Sequence, residues 1–167
     1  MDEAVLRGAN GLFAWSPPLW ALLDSPWAVL ALVFPLLWFL WKLGQLRWLL
    51  AVLVAVGLSD VSVSRVIKPM IGRERPCAAL EGVQVAIVDG DPHCGSGAAM
   101  PSAHAANTMA LAAVLAWSEL ASVYLVVGAA RVVGGQHWPT DILAGWCWGF
   151  MLGAGVRLAC KKALGLR

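Results

Sequence analysis

The chain has 167 residues, enough for one compact domain; 60% of them are hydrophobic and only 13% are charged. With a mean hydropathy of +0.73, this composition excludes an ordinary soluble domain, whose apolar share is about 45–50%, and indicates an integral membrane protein. The net charge of +2 and the lack of a basic run argue against a nucleic-acid partner.

The N-terminal residues 1–25 form the first predicted element, an interfacial segment. Pro17 and Pro18 interrupt its apolar positions, so we expect it to lie on the membrane rather than to cross it. Its first residues are acidic where a cleavable signal peptide is basic, so no such signal is predicted. A first membrane span is then predicted from Pro26 to Trp41.

A second span is predicted from Leu46 to Ile67, followed by a long polar loop. The second half of the span carries hydroxyl and charged side chains, which indicates burial in protein or contact with water. We expect this helix to end at Lys68, because the residue before Pro69 is disfavoured in the α conformation. Residues 68–101 lack a regular pattern, and loops of this length are usually functional.

Three further spans are predicted, from Ser102 to Trp117 with Pro101 at the first turn, from Leu120 to Gly135, and from Pro139 to Ala159. The predicted fold is therefore all-α, a single domain over residues 1–167 built as a bundle of about five transmembrane helices. Because alternate loops lie on opposite sides of a membrane, the polar ends of spans two to five share one side. We call residues 68–101 the active-site loop, because a loop of this length inside a small domain is usually functional.

Two cysteines, Cys77 and Cys94, lie 17 positions apart in the active-site loop. If that loop faces an oxidising compartment, a disulfide between them would stabilise the fold by roughly 3 kcal/mol in the chain-entropy model. The sequence alone leaves a bonded pair and two free thiols equally open.

A stripe of glycines marks the last predicted span. Gly145, Gly149 and Gly153 recur every four residues, which gives one smooth helix face and permits close helix packing. Asp141 lies one turn earlier on the same face, so we expect its carboxylate to point into the bundle.

Three polar motifs fall on the same predicted side. They are Lys68, six residues and Arg75-Pro76; Pro101-Ser102-Ala103-His104; and Arg131, five residues, His137, three residues and Asp141. Phosphoryl transfer needs cations for the non-bridging oxygens, an in-line nucleophile and a proton for the leaving oxygen. Cationic, hydroxyl and imidazole groups in these motifs match that demand.

The motifs and their order resemble the type 2 phosphatidic acid phosphatase superfamily of membrane lipid phosphatases, over residues 50 to 155. The resemblance implies that His137 attacks phosphorus to form a phosphohistidine, that Asp141 holds its other ring nitrogen, and that His104 is the general acid. It implies a phosphate-binding set of Lys68, Arg75, Ser102, Ala103 and Arg131, and no metal or cofactor. Two residues depart from the family pattern: Ala103 replaces the usual glycine, and Ala130 replaces the serine before the arginine.

As the resemblance implies, the predicted reaction is metal-independent hydrolysis of a phosphate or diphosphate on a membrane lipid. A polyprenyl diphosphate such as undecaprenyl diphosphate is favoured, ahead of phosphatidylglycerol phosphate and phosphatidate. One alternative is a protein that binds or transports phosphorylated lipids without hydrolysis, although such a binder has no need of two histidines. Vanadium haloperoxidases share the constellation, but a chain this short and apolar fits membrane hydrolysis better.

The predicted location is a bacterial inner membrane, with the site facing the periplasm or exterior. Lysines and arginines number six on each side of the predicted bundle, so their raw count does not fix the orientation. When Lys68, Arg75 and Arg131 are set aside as site residues, three remain on the polar side against six on the other. The predicted partners are the lipid bilayer and a lipid phosphate.

Overall fold

The computed structural model describes residues 1–15, 46–88, 91–116 and 121–164, together with 18, 22, 34, 35, 38, 41 and 42. Over these residues the regular secondary structure is helical apart from one two-stranded antiparallel ladder. The predicted all-α fold is thereby confirmed, whereas most of the predicted first span, Pro26 to Trp41, lies outside the described residues.

The elements follow one another in this order: α1 Asp2–Asn10, a 3₁₀ turn Gly11–Trp15, α2 Leu46–Val61, a π-helical segment Ser62–Ile67, α3 Lys68–Ile71, α4 Pro76–Ala79, β1 Ile87–Val88, β2 Asp91–Pro92, α5 Ala103–Leu115, α6 Ala121–Val133 and α7 Pro139–Leu164.

Helices α5 and α7 form the centre of the fold, and α2 packs against both of them. The predicted glycine stripe explains how closely α5 and α7 approach. A Cβ atom on Gly145 would lie 2.6 Å from the backbone oxygen of Ser102, and on Gly149 or Gly153 it would overlap the α5 backbone. The stripe is therefore the face on which α7 packs against α5, as predicted. Asp141, one turn before it, has no exposed surface.

Two helical stretches in the described part of the chain are long and apolar enough to cross a bilayer, Trp48–Ala79 and Pro139–Ala163. Helix α5 and the segment Val123–Val133 are apolar but shorter. The bundle of about five spans accordingly stays a prediction.

The helix of the second predicted span continues past Pro69, whereas the sequence predicted that it would end at Lys68. The helix widens into the π-helical segment, in which Lys68 N–H donates to the carbonyl of Val63, and then continues to Ile71. The wider turn offsets the preceding carbonyls, so the proline ring fits where an ordinary α-helix would clash with it. The helix ends instead at Gly72, whose φ of +63° closes it in the left-handed conformation.

The start of α5 also differs from the prediction, because Pro101 precedes the helix rather than occupying its first turn. Ser102 is the N-cap, and its Oγ accepts a bond from the Ala105 N–H at 3.4 Å. Its own N–H donates to the Asp141 backbone carbonyl at 3.0 Å. This bond joins the beginning of α5 to the first turn of α7.

The active-site loop is more regular than its sequence predicted. It contains α4 and the ladder, and Cys77 and Cys94 are bonded in a disulfide with their Cα atoms 5.9 Å apart. Short elements of this kind lack periodicity, which is why the pattern did not reveal them. The disulfide joins α4 to the segment that follows β2.

The N-terminal segment contains a helix that docks on the protein. Leu6 in α1 and Phe13 in the following turn are buried. The Asn10 side-chain amide donates to the carbonyls of Gln84 and Val133, and its oxygen accepts the Gln84 N–H. Position at a membrane interface stays a prediction, but α1 is fixed against the loop and the end of α6.

Candidate active site

The three predicted motifs meet at one end of the α5 and α7 pair. Lys68 begins α3, His104 lies in the first turn of α5, and Arg131 lies in the last turn of α6. A turn through Gly134 and Gly135 then leads to His137 and α7. Gly135 has a φ of +68°, and a Cβ there would lie 2.5 Å from Val83, so glycine is needed for this turn.

His137 lies between a carboxylate and a guanidinium and is only 1% exposed. Its Nδ1 is 3.5 Å from Asp141 Oδ2, and its Nε2 is 3.3 Å from Arg75 Nη1. Because a guanidinium only donates, Nε2 must accept, which places the ring proton on Nδ1 facing Asp141. A distance of 3.5 Å is long for a hydrogen bond, but such bonds in active sites shorten when the reacting group binds.

Burial and nearby cations keep this imidazole neutral. Burial is the largest cause that lowers the pKa of His137 well below 6.5, followed by the positive charges of Arg131, Arg75 and Lys68. A neutral imidazole with a lone pair on Nε2 is the form that attacks an electrophile.

Arg75 is held by backbone carbonyls from two segments. Its Nη1 donates to Gln136 O at 3.0 Å, its Nε to Gly97 O at 3.2 Å and its Nη2 to Ser96 O at 3.3 Å. Residue Arg75 is 7% exposed, so the guanidinium is fixed rather than free to sample solvent. The disulfide at Cys94 fixes the segment that supplies two of these carbonyls.

Gln136 is a site residue that the sequence did not reveal. Its side-chain oxygen accepts the Gly95 N–H at 2.9 Å, and its amide nitrogen donates to His93 O at 2.7 Å. It therefore ties the active-site loop to the residue next to His137. His93 takes part through its backbone, and its side chain is exposed.

The other predicted phosphate ligands lie at helix ends whose backbones bond to His137 or Asp141. Ser102 is fully buried at the N-terminus of α5, where the N–H groups of the first turn and the helix dipole favour an anion. Ala103 begins that turn. Arg131 is 8% exposed, and its backbone carbonyl accepts the N–H of His137 at 3.2 Å.

Two cavities open beside these groups. One of about 410 Å³ is lined by Lys68, Ser64 and Gly97, and a second of about 400 Å³ is lined by Arg73, Arg75 and Gly97. Gly72 lines both, so the end of α3 lies between them. Lys68 and Arg75 thus border open space large enough for a phosphate group.

Arg73 is the second residue that sequence reasoning missed. Its Nη1 donates to Asp141 Oδ1 at 2.8 Å and to Thr140 Oγ1 at 2.7 Å, and its Nη2 pairs with Asp2 Oδ2 at 2.6 Å. Its guanidinium also lies 5.0 Å from the centre of the Trp138 ring. The sequence does place Arg73 between the predicted site residues Lys68 and Arg75, but nothing in it distinguishes this arginine from a solvated charge.

In the part of the chain that the structure describes, no group of three or more histidine, cysteine, aspartate or glutamate side chains is arranged to hold a metal ion. The chemistry available to this site comes from a neutral imidazole backed by a carboxylate, a second histidine and several cations. Those groups suit attack on an anionic phosphorus centre. Ala130, which stands where the family pattern has a serine, is fully buried in α6.

Comparison with known proteins gives three matches. The model of the PAP2 superfamily matches residues 45–163. The lipid A 4'-phosphatase of Bacteroides thetaiotaomicron is 31% identical over 117 residues, which are 64% of this chain and 51% of that protein, so the chain spans about half the length of this curated relative. The crystal structure of LpxE from Aquifex aeolicus has a TM-score of 0.64 at 24% identity and 92% coverage of both chains, which shows a similar fold.

Proposed function

Because the chain belongs to the PAP2 superfamily, we propose that it hydrolyses a phosphate ester on a membrane lipid through a phosphohistidine intermediate. The observation that carries the proposal is the neutral, buried His137, with Nδ1 facing Asp141 and Nε2 facing the Arg75 guanidinium. This arrangement supplies an oriented nucleophile next to the charges that a phosphate requires.

In the proposed reaction, His137 Nε2 attacks phosphorus, so an N–P bond forms while the bond from phosphorus to the lipid oxygen breaks. His104 donates a proton to that leaving oxygen. Water then attacks phosphorus, so a P–O bond forms while the N–P bond breaks and its electron pair returns to His137 Nε2. His104 takes a proton of that water, and inorganic phosphate leaves. Lys68, Arg75 and Arg131 bind the non-bridging oxygens, together with Ser102 and the N–H groups at Ala103.

For the substrate, we propose a lipid whose phosphate monoester is attached to a sugar, as in lipid A. The name of the Bacteroides relative supports this choice, whereas the comparisons give no support to the polyprenyl diphosphate that the sequence favoured. An apolar cavity of about 350 Å³, lined by Ile71, Met100 and Trp148 among others, lies beside the site and suits a hydrocarbon chain.

The experiment measures phosphate release by purified protein in detergent with EDTA present. The panel contains lipid A, undecaprenyl diphosphate, phosphatidate and phosphatidylglycerol phosphate. We expect release from lipid A, and we expect His137→Ala to lower the rate by at least about 1,000-fold, as loss of a nucleophile does. A rapid alkaline quench, in which phosphohistidine is stable, should yield a phosphorylated peptide containing His137.

His93→Ala is the matched control, because the His93 side chain is exposed and outside the site. It should keep the activity of the unmodified chain. Unchanged release by His137→Ala would remove the nucleophile assignment. Binding of the lipids without release by the intact protein would favour a binding or transport protein. Halide oxidation with added vanadate, in place of inhibition by it, would favour a haloperoxidase.

A further inference from the structure

The N-terminal helix reaches the active site through its first residue, Asp2. One carboxylate oxygen of Asp2 accepts from Arg73 Nη2 at 2.6 Å and from the Thr140 hydroxyl at 2.6 Å, and the other accepts the Thr140 N–H at 3.1 Å. Arg73 in turn pairs with Asp141, which faces His137. A continuous chain of polar contacts therefore runs from α1 to the proposed nucleophile.

We propose that Asp2 and Arg73 are positioning residues that hold Asp141 against His137, which makes α1 part of the catalytic unit. This inference rests on the proposed function, because it concerns how the same imidazole is oriented. Neither residue touches the reacting phosphate in the proposed reaction.

The two oxygens of Asp141 have separate partners, which is why Arg73 matters. Oδ1 is bound by Arg73, while Oδ2 accepts the Trp138 N–H at 2.9 Å and faces His137 Nδ1. Since Asp141 has no exposed surface, a negative charge there needs a cationic partner, and a neutral His137 does not provide one. Arg73, which is partly exposed, supplies the positive charge at the oxygen away from the imidazole.

Asp2 fixes Arg73 in turn. The guanidinium lies between two carboxylates and packs on Trp138, and the Thr140 hydroxyl bonds to both Arg73 and Asp2. Thr140 N–H lies in the first turn of α7, where a helix favours an anion. Burial alone would raise the pKa of Asp2, but hydrogen bonds from Thr140 and Arg73 outweigh it and lower that pKa, so the carboxylate is charged.

Other residues anchor α1 independently of Asp2, so the two roles can be separated. Leu6 is fully buried, and Asn10 makes three hydrogen bonds to the loop and the end of α6. Glu3, next to Asp2, pairs with Arg7 on the exposed surface of the same helix. A variant of Asp2 can therefore lose the bridge while α1 stays docked.

The test compares Asp2→Asn and Arg73→Lys with the control Glu3→Gln. Asp2→Asn removes one of the two carboxylates that pair with Arg73, and the ammonium in Arg73→Lys cannot bridge two carboxylates as a guanidinium does. We expect both variants to lower kcat roughly 10-fold with KM within about twofold of the unmodified chain, and Glu3→Gln to change neither. In an Asp141→Ala background, Asp2→Asn should cause no further loss, because its effect passes through Asp141. An equal additional loss there would overturn the proposal.

A second measurement does not depend on turnover. NMR of protein with ¹⁵N-labelled histidine, assigned with His137→Gln, detects the proton on Nδ1 of His137, and its chemical shift reports the strength of the hydrogen bond to Asp141. Because Arg75 still donates to Nε2, we expect the Nδ1–H form in every variant. Its proton should shift upfield in Asp2→Asn and Arg73→Lys, where that bond is weaker, and keep its shift in Glu3→Gln. Unchanged spectra and unchanged kcat in both variants would refute the positioning role.

These readouts separate the possible failures. If the intact chain releases no phosphate from any lipid, the proposed function fails, and the Nδ1–H shift of His137 still decides whether Asp2 positions it. Asn10→Ala tests a purely structural role: it should lower the thermal unfolding midpoint without changing the Nδ1–H shift. If Asn10→Ala changed kcat and the Nδ1–H shift as much as Asp2→Asn, Asp2 would merely help to dock α1, and the proposal would be wrong.

Discussion

At the residue scale, the protonation state of His137 follows from its surroundings. Its imidazole is buried, and cationic side chains approach it from α3, α6 and the active-site loop, so a further positive charge on the ring is strongly disfavoured. The unfolded chain has no such restriction, and there the ring binds a proton with a pKa near 6.5. Folding and protonation of this residue are therefore coupled.

This coupling predicts the sign of a pH effect on stability. Below about pH 6.5, the unfolded chain binds a proton at His137 that the folded chain does not bind, so acid favours unfolding by up to about 1.4 kcal/mol per pH unit. Above pH 6.5 both states are neutral at this residue and its effect vanishes. Thermal unfolding in detergent should show a steeper fall between pH 6.5 and 5 for the unmodified chain than for His137→Gln. Parallel curves for the two proteins would contradict the lowered pKa.

The sequence predicted which residues form the three motifs, but it did not predict which polar residues bond to those motifs in the fold. The spacing of Arg131, His137 and Asp141 was visible because all three lie within one short stretch. Asp2 and Arg73 are 71 positions apart, and Gln136 bonds to a loop 41 positions earlier. Polar pairs of this kind depend on how the helices pack, which the order of residues alone does not give.

At the scale of elements, the contact between α5 and α7 sets the distance between Ser102 and Asp141. Ser102 at the start of α5 bonds to the backbone of Asp141 in α7, and the glycine stripe lets the helices continue side by side. A larger residue within the stripe would separate these helices and move Ser102 away from Asp141. The stripe therefore contributes both to stability and to site geometry.

Gly149→Ala tests this contact, with Gly155→Ala as its control on the same helix. A Cβ at Gly149 would overlap the backbone of Ala106, whereas one at Gly155 meets nothing within 4 Å. We expect Gly149→Ala to destabilise the protein by about 1–3 kcal/mol and Gly155→Ala to be neutral or stabilising by up to about 1 kcal/mol. Unfolding midpoints in detergent measure both. Equal midpoints for the two variants would mean that the helices can separate without cost.

The periodic elements were predictable, and the irregular ones were not. Glycines spaced by four positions revealed a packing face in α7 because a helix brings them together. The π-helical segment before Lys68 carried no such signal, so Pro69 was wrongly predicted to end the helix. A single widened turn changes which carbonyl each N–H meets without changing the composition of the segment.

At the scale of the whole molecule, the proposed site, the disulfide and α1 share one end of the helical bundle. Arg73 contacts Asp141, so it joins Lys68, Arg75 and Arg131 as a cation of the proposed site. Of the six cations predicted on that side of a membrane, two then remain, against six predicted on the other side. This difference, together with the Cys77–Cys94 bond, is consistent with the prediction that the site faces the exterior.

Thiol labelling tests this orientation in spheroplasts of a bacterial host. In a background of Cys147→Ser and Cys160→Ser, which removes the free cysteines that the structure describes, Asp91→Cys places a thiol on the exposed ladder of the active-site loop. Lys162→Cys places one on the exposed end of α7. A maleimide that cannot cross membranes should label Asp91→Cys in intact spheroplasts and Lys162→Cys only after permeabilisation, because the two positions are predicted to lie on opposite sides. The reverse pattern would place the site in the cytoplasm, where reducing conditions oppose the disulfide that fixes the loop holding Arg75.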